Sequence, residues 1–179
     1  TGLAPAAINY VANDTGDLTI NGGTGGDTFN VISTQAAFGS DNNTVNGGSG
    51  DDVFNITGAG LAGATNTFNG QAGNDAFNVT AAVAATTTIN GDGHTTGDTL
   101  NFDAGGAAVT TTANTIATPA SAVLTFATVE SVVITNAASV TLSGDGAANT
   151  VVLTRSGVGT NQYVMDGGVP VTFPTTANF

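Results

Sequence analysis

The stretch NGGSGDDVFNI (residues 46–56) decides how this chain is expected to fold. Its glycines suit a tight turn, because glycine readily adopts backbone conformations that a Cβ atom disfavours. After the aspartate that ends the turn, apolar and polar residues alternate, as is typical of a β-strand. An apolar residue and an asparagine precede the turn, so one unit reads strand, glycine turn, aspartate, strand.

The same unit occurs four times within the first hundred or so residues. The copies read GGTGGDTFN (22–30), GGSGDDVFN (47–55), GQAGNDAFN (70–78) and GDGHTTGDTLN (91–101). The aspartates that end the turns are Asp27, Asp52, Asp75 and Asp98, at steps of 25, 23 and 23 residues. The third copy has Gln71 and Ala72 at glycine positions, and the fourth has a two-residue insertion around His94. A fixed period of about 20–50 residues indicates a solenoid, in which each repeat buries its apolar face against its neighbours.

We therefore expect an all-β protein, a parallel β-helix or β-solenoid with coils of about 23–25 residues. Residues 1–179 are expected to form a single domain, with regular coils over 15–105 and degenerate coils and terminal strands over 106–179. A weak fifth copy at 142–153 has Asn149 in the aspartate position. One coil within 103–131 is expected to have lost the motif.

Stacking would align equivalent residues of successive coils. Two apolar columns two residues apart share one face of the second strand, namely Phe29, Phe54, Phe77, Leu100 and Val31, Ile56, Val79, Phe102. Two asparagine rows are expected to form amide ladders of the kind that stabilise in-register strands, namely Asn30, Asn55, Asn78, Asn101 and Asn21, Asn46, Asn69, Asn90.

The repeat resembles the RTX-type calcium-binding repeats of large secreted bacterial proteins. It is most similar to long, low-lysine surface proteins of planctomycete type, in which one glycine–aspartate turn occurs per long coil. The likeness covers residues 15–105 well and 130–175 weakly, and it implies calcium as the cofactor and an extracellular or cell-surface location. The implied metal ligands are the carboxylates of Asp27, Asp52, Asp75 and Asp98, with backbone groups of Gly23, Gly25, Gly48, Gly50 and Gly73.

Other interpretations of the polar residues stay open. Calcium takes six to eight oxygen ligands, which turn carbonyls and aspartates supply, but an aspartate can also simply cap its own turn. Asp51 and Asp92 are interpreted as solvated surface carboxylates. His94 is the single histidine and has no evident metal-binding or catalytic partner in the sequence, while Glu130 and Arg155 are interpreted as surface charges or members of a structural pair.

The composition excludes several classes of function. The formal net charge is −12, and Arg155 is the single basic residue apart from the histidine. Nucleic-acid binding needs lysine and arginine to neutralise phosphates, and anionic membrane surfaces also attract basic segments. No apolar run approaches the 18 or so residues that a membrane-spanning helix needs, so we expect no membrane insertion. No signal peptide is visible and the first residue is Thr1, so we expect a mature form or an excised piece.

The favoured function is a structural calcium-binding module of an extracellular bacterial surface protein, fibre or adhesin, and not an enzyme. Residues 9–20 and 169–173 both look strand-forming with no evident cap, which predicts self-association or stacking on adjacent tandem modules. An alternative is a threonine- and asparagine-rich face that binds ice or neutral glycan, although Thr-x-Thr occurs only in scattered form, at 86–88 and 110–112. A polysaccharide-active enzyme, with paired carboxylates, is less favoured.

Overall fold

The computed structural model describes residues 16–34, 41–80, 82–119, 121–145, 147–157 and 159–174, with the backbone alone over 153–157. These residues form an all-β structure whose single helical element is a short 3-10 turn at Gly58–Gly60. Within the same ranges, no helix has the length and apolar character needed to cross a membrane.

Sixteen strands follow one another along the described chain. Those of the repeat region, residues 16–103, are β1 (Leu18–Thr24), β2 (Thr28–Val31), β3 (Asn42–Ser49), β4 (Val53–Thr57), β5 (Thr65–Ala72), β6 (Ala76–Thr80), β7 (Thr86–Gly93) and β8 (Thr99–Asp103). Those of the C-terminal region, residues 104–174, are β9 (Ala108–Thr111), β10 (Thr115–Ala117), β11 (Leu124–Ala127), β12 (Ser131–Thr135), β13 (Ser139–Leu142), β14 (Val151–Gly157), β15 (Thr160–Met165) and β16 (Val171–Pro174).

In the repeat region the chain alternates between two sheets. Strands β1, β3, β5 and β7 pair in parallel in the first sheet, and β2, β4, β6 and β8 pair in parallel in the second. Equivalent residues of successive repeats face each other across every pair, for example Phe29 with Phe54 and Phe54 with Phe77. Each glycine–aspartate turn therefore joins a strand of the first sheet to a strand of the second.

The predicted apolar columns form the core between the sheets. Phe54 is fully buried, and its ring stacks between those of Phe29 and Phe77 at centroid distances of 4.9 and 4.8 Å. Phe68 of the first sheet meets it edge-on at 6.3 Å. The predicted position of Phe54 is thus confirmed, and the second column is also buried at Ile56, Val79 and Phe102.

Both asparagine rows are confirmed as amide ladders. In the second sheet, Asn55, Asn78 and Asn101 each donate from Nδ2 to Oδ1 of the asparagine one repeat earlier, at 2.9–3.0 Å. In the first sheet the same bonds join Asn46 to Asn21, Asn69 to Asn46 and Asn90 to Asn69, each at 2.7 Å. The ladders link neighbouring repeats on the outer faces, where the apolar core contributes nothing.

The C-terminal region changes the mode of pairing. Strands β11 and β12 continue the parallel pattern by pairing with β7 and β8. Around them, β10 pairs antiparallel with β9 and β11, and β15 pairs antiparallel with β14 and β16. Two further parallel pairs, β9 with β13 and β12 with β16, occur in this region. Elsewhere in the described part of 106–179, antiparallel strands replace the degenerate coils that the sequence predicted.

Strand β16 lies inside its sheet rather than at an edge. It pairs in parallel with β12 and antiparallel with β15, so the strand expected at 169–173 is not an exposed docking strand. Tyr163 of β15 is fully buried and donates a hydrogen bond from its hydroxyl to Oγ1 of Thr111 on β9, at 2.8 Å. This bond ties the two sheets together at the C-terminal end. Of the strand expected at 9–20, residues 9–15 lie outside the described ranges, and β1 begins at Leu18.

Candidate metal centre at the glycine–aspartate turns

The four repeated aspartates form one column, which we call the acidic column. The backbone N–H of Asp27 donates to Oδ1 of Asp52, that of Asp52 to Asp75, and that of Asp75 to Asp98, each at 2.7 Å. These bonds run between repeats rather than within a turn. The aspartates therefore connect neighbouring repeats as well as ending their own turns, a role that the sequence pattern alone did not specify.

The second carboxylate oxygen of each aspartate is enclosed by the protein. Asp52 and Asp98 are fully buried and Asp75 nearly so. Within the described residues, the Oδ2 atoms of Asp27, Asp52, Asp75 and Asp98 are buried and have no hydrogen-bond partner. A buried carboxylate oxygen without a donor is costly unless it is protonated or faces a cation. Four such atoms in one column are the most unusual feature of the molecule.

The first glycine of each turn makes room for that oxygen. A Cβ atom added to Gly47, Gly70 or Gly91 would collide with Oδ2 of the aspartate ending the same turn. The same added atom would also meet a backbone carbonyl of the next strand in the sheet, as at Gly47, where the carbonyl of Gly70 lies 2.8 Å away. Two hydrogen-bond acceptors, the carboxylate and the carbonyl, thus converge beside the glycine Cα, which carries no side chain. We call this arrangement a glycine cradle.

The glycines expected to contribute backbone ligands lie where the turns touch. Gly23, Gly25, Gly48, Gly50 and Gly73 all have positive φ. A Cβ on Gly48 or Gly73 would run into the carbonyl of Gly23 or Gly50 in the preceding repeat. Close backbone approach and left-handed φ together explain why glycine occurs here. Gln71 and Asp92 adopt positive φ in the same register as Gly48, at a cost of about 1–2 kcal/mol each.

Burial changes the acidity of the column. The pKa of Asp75 is raised from 3.8 to about 6, mainly by desolvation; the N–H of Asp52 opposes this rise, and the neighbouring carboxylates of Asp98 and Asp52 add to it. Desolvation likewise raises the pKa of Asp52 and Asp98. Without a cation, Asp52, Asp75 and Asp98 therefore keep their protons to a higher pH than usual, and a carboxyl hydrogen can then point at the facing carbonyl.

The donors gathered at these turns suit a hard cation. They are carboxylate and carbonyl oxygens throughout the first three turns, the ligand type that calcium prefers. The unpartnered Oδ2 atoms and the glycine cradles are compatible with such an ion. Asp27, Asp52, Asp75 and Asp98 would supply its negative ligands, and turn carbonyls the neutral ones. The ion would add charge neutralisation, which the single basic residue in the chain cannot provide along a whole column.

Glu130 extends the acidic column by one position beyond Asp98, and the sequence pattern did not identify it. Its Oε2 accepts the backbone N–H of Asp98 at 2.7 Å, as each aspartate does for the one before it. The residue after it, Ser131, donates its N–H to the carbonyl of Asp98, just as Val53 donates to Asp27. A signal was present: both Asp52 and Glu130 are followed by an x-apolar-x-apolar run.

The remaining charged residues differ in their relation to the acidic column. Asp51 is exposed and accepts the N–H and side-chain amide of Asn74. Asp92 is also exposed, in agreement with its interpretation as a surface carboxylate. His94 lies beside Asp98 and Glu130 in the enlarged fourth turn. The side chain of Arg155 falls outside the described part of the chain.

The weak fifth turn keeps the cradle with a neutral side chain. A Cβ on Gly144 would collide with Oδ1 of Asn149, as one on Gly47 would with Asp52. The Nδ2 of Asn149 donates to the carboxylates of Asp145 and Asp166. The approach of Asn149 to Gly144 resembles that of Asp52 to Gly47, with an amide in place of the acid.

Comparison with protein-family models, with curated proteins and with solved structures finds no match to this chain. Its function is therefore inferred from the residues and their geometry.

Proposed function

We propose that the chain is a structural calcium-binding module of an extracellular bacterial surface protein, fibre or adhesin, built as a parallel β-solenoid with coils of about 23–25 residues. The alternation of strands between two sheets with a 23- to 25-residue step supports the solenoid. The observation that carries the calcium proposal is the column of four buried Oδ2 atoms without hydrogen-bond partners among the described residues.

The charge balance of the chain favours a cation over protonation at neutral pH. A carboxyl with a pKa of about 6, such as that of Asp75, is mostly ionised at pH 7 and above. The resulting buried negative charges have no lysine to pair with, because the chain contains one basic residue and carries a net charge of −12. Calcium would bind as these protons leave, so its affinity is expected to increase with pH.

Thermal unfolding in calcium and in excess chelator tests this proposal. Extracellular calcium sites have dissociation constants of about 10⁻⁴–10⁻³ M, and at about ten times that concentration each site adds roughly 1.4 kcal/mol. Three occupied sites would therefore raise the free energy of unfolding by about 4 kcal/mol. Equal melting midpoints in calcium and in chelator at pH 7.5 would refute the proposal and leave the aspartates as links between repeats.

Asp75→Asn is the matched variant for this test. The asparagine keeps an oxygen to accept the N–H of Asp52, and its Nδ2 can donate where the unpartnered Oδ2 now lies. We expect the variant to melt higher than the unmodified chain in chelator and to gain less from calcium. Asp51→Asn, an exposed carboxylate one turn earlier, is the control and should keep the full calcium response.

Assembly is proposed at the end formed by the first repeat. Within the described residues, β1 and β2 are the outermost strands of their sheets, each paired on one side. At the other end, the outermost strands are β13, which pairs in parallel with β9, and β14, which pairs antiparallel with β15. A second copy or an adjacent module can therefore continue the parallel pairing at β1 and β2. Light scattering during a calcium titration tests self-association, and a monomer at all calcium concentrations would leave adjacent modules of a longer chain as the partner.

A second candidate function rests on one row of threonines. Parallel pairing aligns Thr19, Thr44, Thr67, Thr88 and Thr125 on the outer face of the first sheet, beside the asparagine row. This uncharged, regular array is more continuous than the scattered Thr-x-Thr pattern suggests, and it favours a binding face for ice or neutral glycan. Thermal hysteresis and sedimentation with insoluble neutral polysaccharides are the tests. A Thr67→Lys variant should abolish either activity while leaving the calcium response unchanged.

A further inference from the structure

The enlarged fourth turn brings three side chains of metal-binding type together at the end of the acidic column. Nδ1 of His94 lies 3.3 Å from Oε2 of Glu130 and 3.8 Å from Oδ2 of Asp98. All three candidate ligand atoms lie within 4.8 Å of one another. The two-residue insertion that distinguishes this turn from the other three is what makes room for the imidazole.

The Asp98 carboxylate provides an independent sign that this cluster holds a ligand. Its side chain is fully buried, and Oδ1 already accepts the N–H of Asp75. Oδ2 has no hydrogen-bond partner in the described part of the molecule and is directed toward His94. The His94 ring beside that oxygen is about one-third exposed and thus open to ions from solvent.

We propose that His94 Nδ1, Asp98 Oδ2 and Glu130 Oε2 bind a divalent ion of the zinc class. Ligands about 2.0–2.2 Å from a tetrahedral ion lie roughly 3.3–3.6 Å apart. The 3.3 Å separation of the His94 and Glu130 atoms already meets that spacing, whereas the His94–Asp98 separation of 3.8 Å and the Asp98–Glu130 separation, which is within 4.8 Å, would contract on binding. The exposed side of the cluster leaves a fourth position for water.

The ligand set separates this site from the rest of the column, so Asp98 Oδ2 would bind this ion and calcium would be left to the turns of Asp27, Asp52 and Asp75. Imidazole nitrogen suits zinc and other transition ions, whereas sites made of carboxylate and carbonyl oxygens suit calcium or magnesium. The chain contains a single histidine, so no second site of this composition can form within one copy. Two carboxylates and a neutral imidazole also balance the charge of a divalent ion.

The site would join the repeat region to the C-terminal region. Asp98 precedes β8, whereas Glu130 precedes β12, and these strands are neighbours in the second sheet. In the sequence the two acids are separated by 32 residues, including β9 and β10. An ion bound by both acids would fix the enlarged turn that ends at Asp98 against the turn that ends at Glu130, which contains no glycine.

Zinc titration by calorimetry in saturating calcium at pH 7.5 tests this site. We expect one zinc ion bound per chain and no displacement by calcium. His94→Gln and Glu130→Gln should each weaken zinc binding at least about 10-fold, since even loss of a group behind a ligand costs about 10–100-fold. Glu130→Gln keeps an oxygen to accept the N–H of Asp98, which guards against simple loss of folding. Asp92→Asn removes an exposed charge from the same turn and should leave zinc affinity within about twofold.

Cobalt(II) substitution provides a second readout. Cobalt bound by one nitrogen and two or three oxygens in a four-coordinate site gives strong visible absorption, which the hydrated ion lacks. That absorption should be absent in His94→Gln and present in Asp92→Asn. Failure of the unmodified chain to bind zinc, or equal affinities in His94→Gln and the unmodified chain, would overturn the proposal and leave a contact between His94 and Glu130. A normal calcium-dependent melting shift in His94→Gln would show that the zinc and calcium sites are separate.

Discussion

The repeat region and the C-terminal region extend the same two sheets in different ways. In the repeat region, each strand pairs in parallel with the equivalent strand one repeat later, so residues at equivalent positions of the repeat meet. In the C-terminal region, antiparallel strands pair unlike residues, such as Tyr163 with Val171. The difference shows that strand register has two sources. In the repeat region it is fixed by contacts between equivalent side chains of successive repeats, and in the C-terminal region by turns and local packing. The predictions below probe each source.

Loss of the central ring of the phenylalanine stack should have the largest effect. Phe54→Ala is expected to cost about 3–5 kcal/mol, because neighbouring rings held at 4.8–4.9 Å cannot easily close the cavity. Denaturant unfolding measures the change. Asn55→Ala is the control, and it should cost about 1–2 kcal/mol, since it removes two amide hydrogen bonds on the outer face. Equal costs for the two variants would mean that the inward and outward positions are misassigned.

The pH dependence of stability should differ in sign between the two regions. In chelator, the pKa of the Asp75 carboxyl is 3.8 in the unfolded chain and about 6 in the folded protein. Stability should therefore fall as pH rises between these values, by up to about 3 kcal/mol for this group. In the C-terminal region, the N–H of Ala147 and the side chain of Asn149 lower the pKa of Asp145. The contribution of this group to stability should therefore increase as pH rises.

Melting curves from pH 4 to pH 8 in chelator check this prediction. Asp75→Asn should flatten the fall in midpoint, whereas Asp145→Asn should leave it in place. Calcium should suppress the fall above pH 6 in the unmodified chain. A midpoint in chelator that rises steadily from pH 4 to pH 8 would indicate that the Asp75 carboxylate is well solvated or paired when ionised.

A methyl group added in a glycine cradle should lower the free energy of unfolding more than one added to a glycine with open space around it. Gly47→Ala places a Cβ against the Asp52 carboxylate and 2.8 Å from the carbonyl of Gly70, so we expect a cost of about 1–3 kcal/mol from overpacking. Gly105→Ala, in the C-terminal region, meets nothing within 4 Å and suffers only from its positive φ. Its cost should stay near 1 kcal/mol. Gly47→Ala should also weaken the calcium response, and a full response would mean that the ion lies away from this cradle.

The smallest effect is expected at the hydroxyl that joins the sheets in the C-terminal region. Tyr163→Phe removes one buried hydrogen bond to Thr111 and should cost about 1 kcal/mol. Thr111 keeps its contact with the carbonyl of Thr115, which limits the loss. Burial raises the pKa of Tyr163 to about 12, so ultraviolet titration of the two tyrosines should show one ionising late. Loss of that late transition in Tyr163→Phe would confirm the assignment.

The sequence predicts most of the repeat region because the same information occurs four times. Equivalent residues must align when repeats stack, and this alone places Phe54 between Phe29 and Phe77 and orders the asparagine rows. The aspartate positions were predicted in the same way. Their acceptance of an N–H from the preceding repeat was not, because that contact depends on which rotamer the turn permits rather than on spacing.

The C-terminal region could not be predicted to the same degree. Glu130 lies 32 residues after Asp98 instead of 23, since β9 and β10 intervene, and no glycines mark its turn. Thr128 has positive φ in a turn that the repeat pattern would give to glycine. The choice between a parallel crossover and an antiparallel hairpin depends on a few turn residues, as between β9 and β10. Local signals of this kind are weaker than a repeated motif.

The two asparagine rows also give the stack an electrical direction. Each Nδ2 donates to the Oδ1 of the residue one repeat earlier, from Asn46 to Asn21 as from Asn55 to Asn30, so the amide dipoles within a row add. Aligned hydrogen bonds polarise one another, which strengthens the middle of a row relative to its ends. A further repeat or a second copy can lengthen these rows only in the head-to-tail orientation. The same amides that hold neighbouring repeats together thereby select the orientation in which copies of the stack can join.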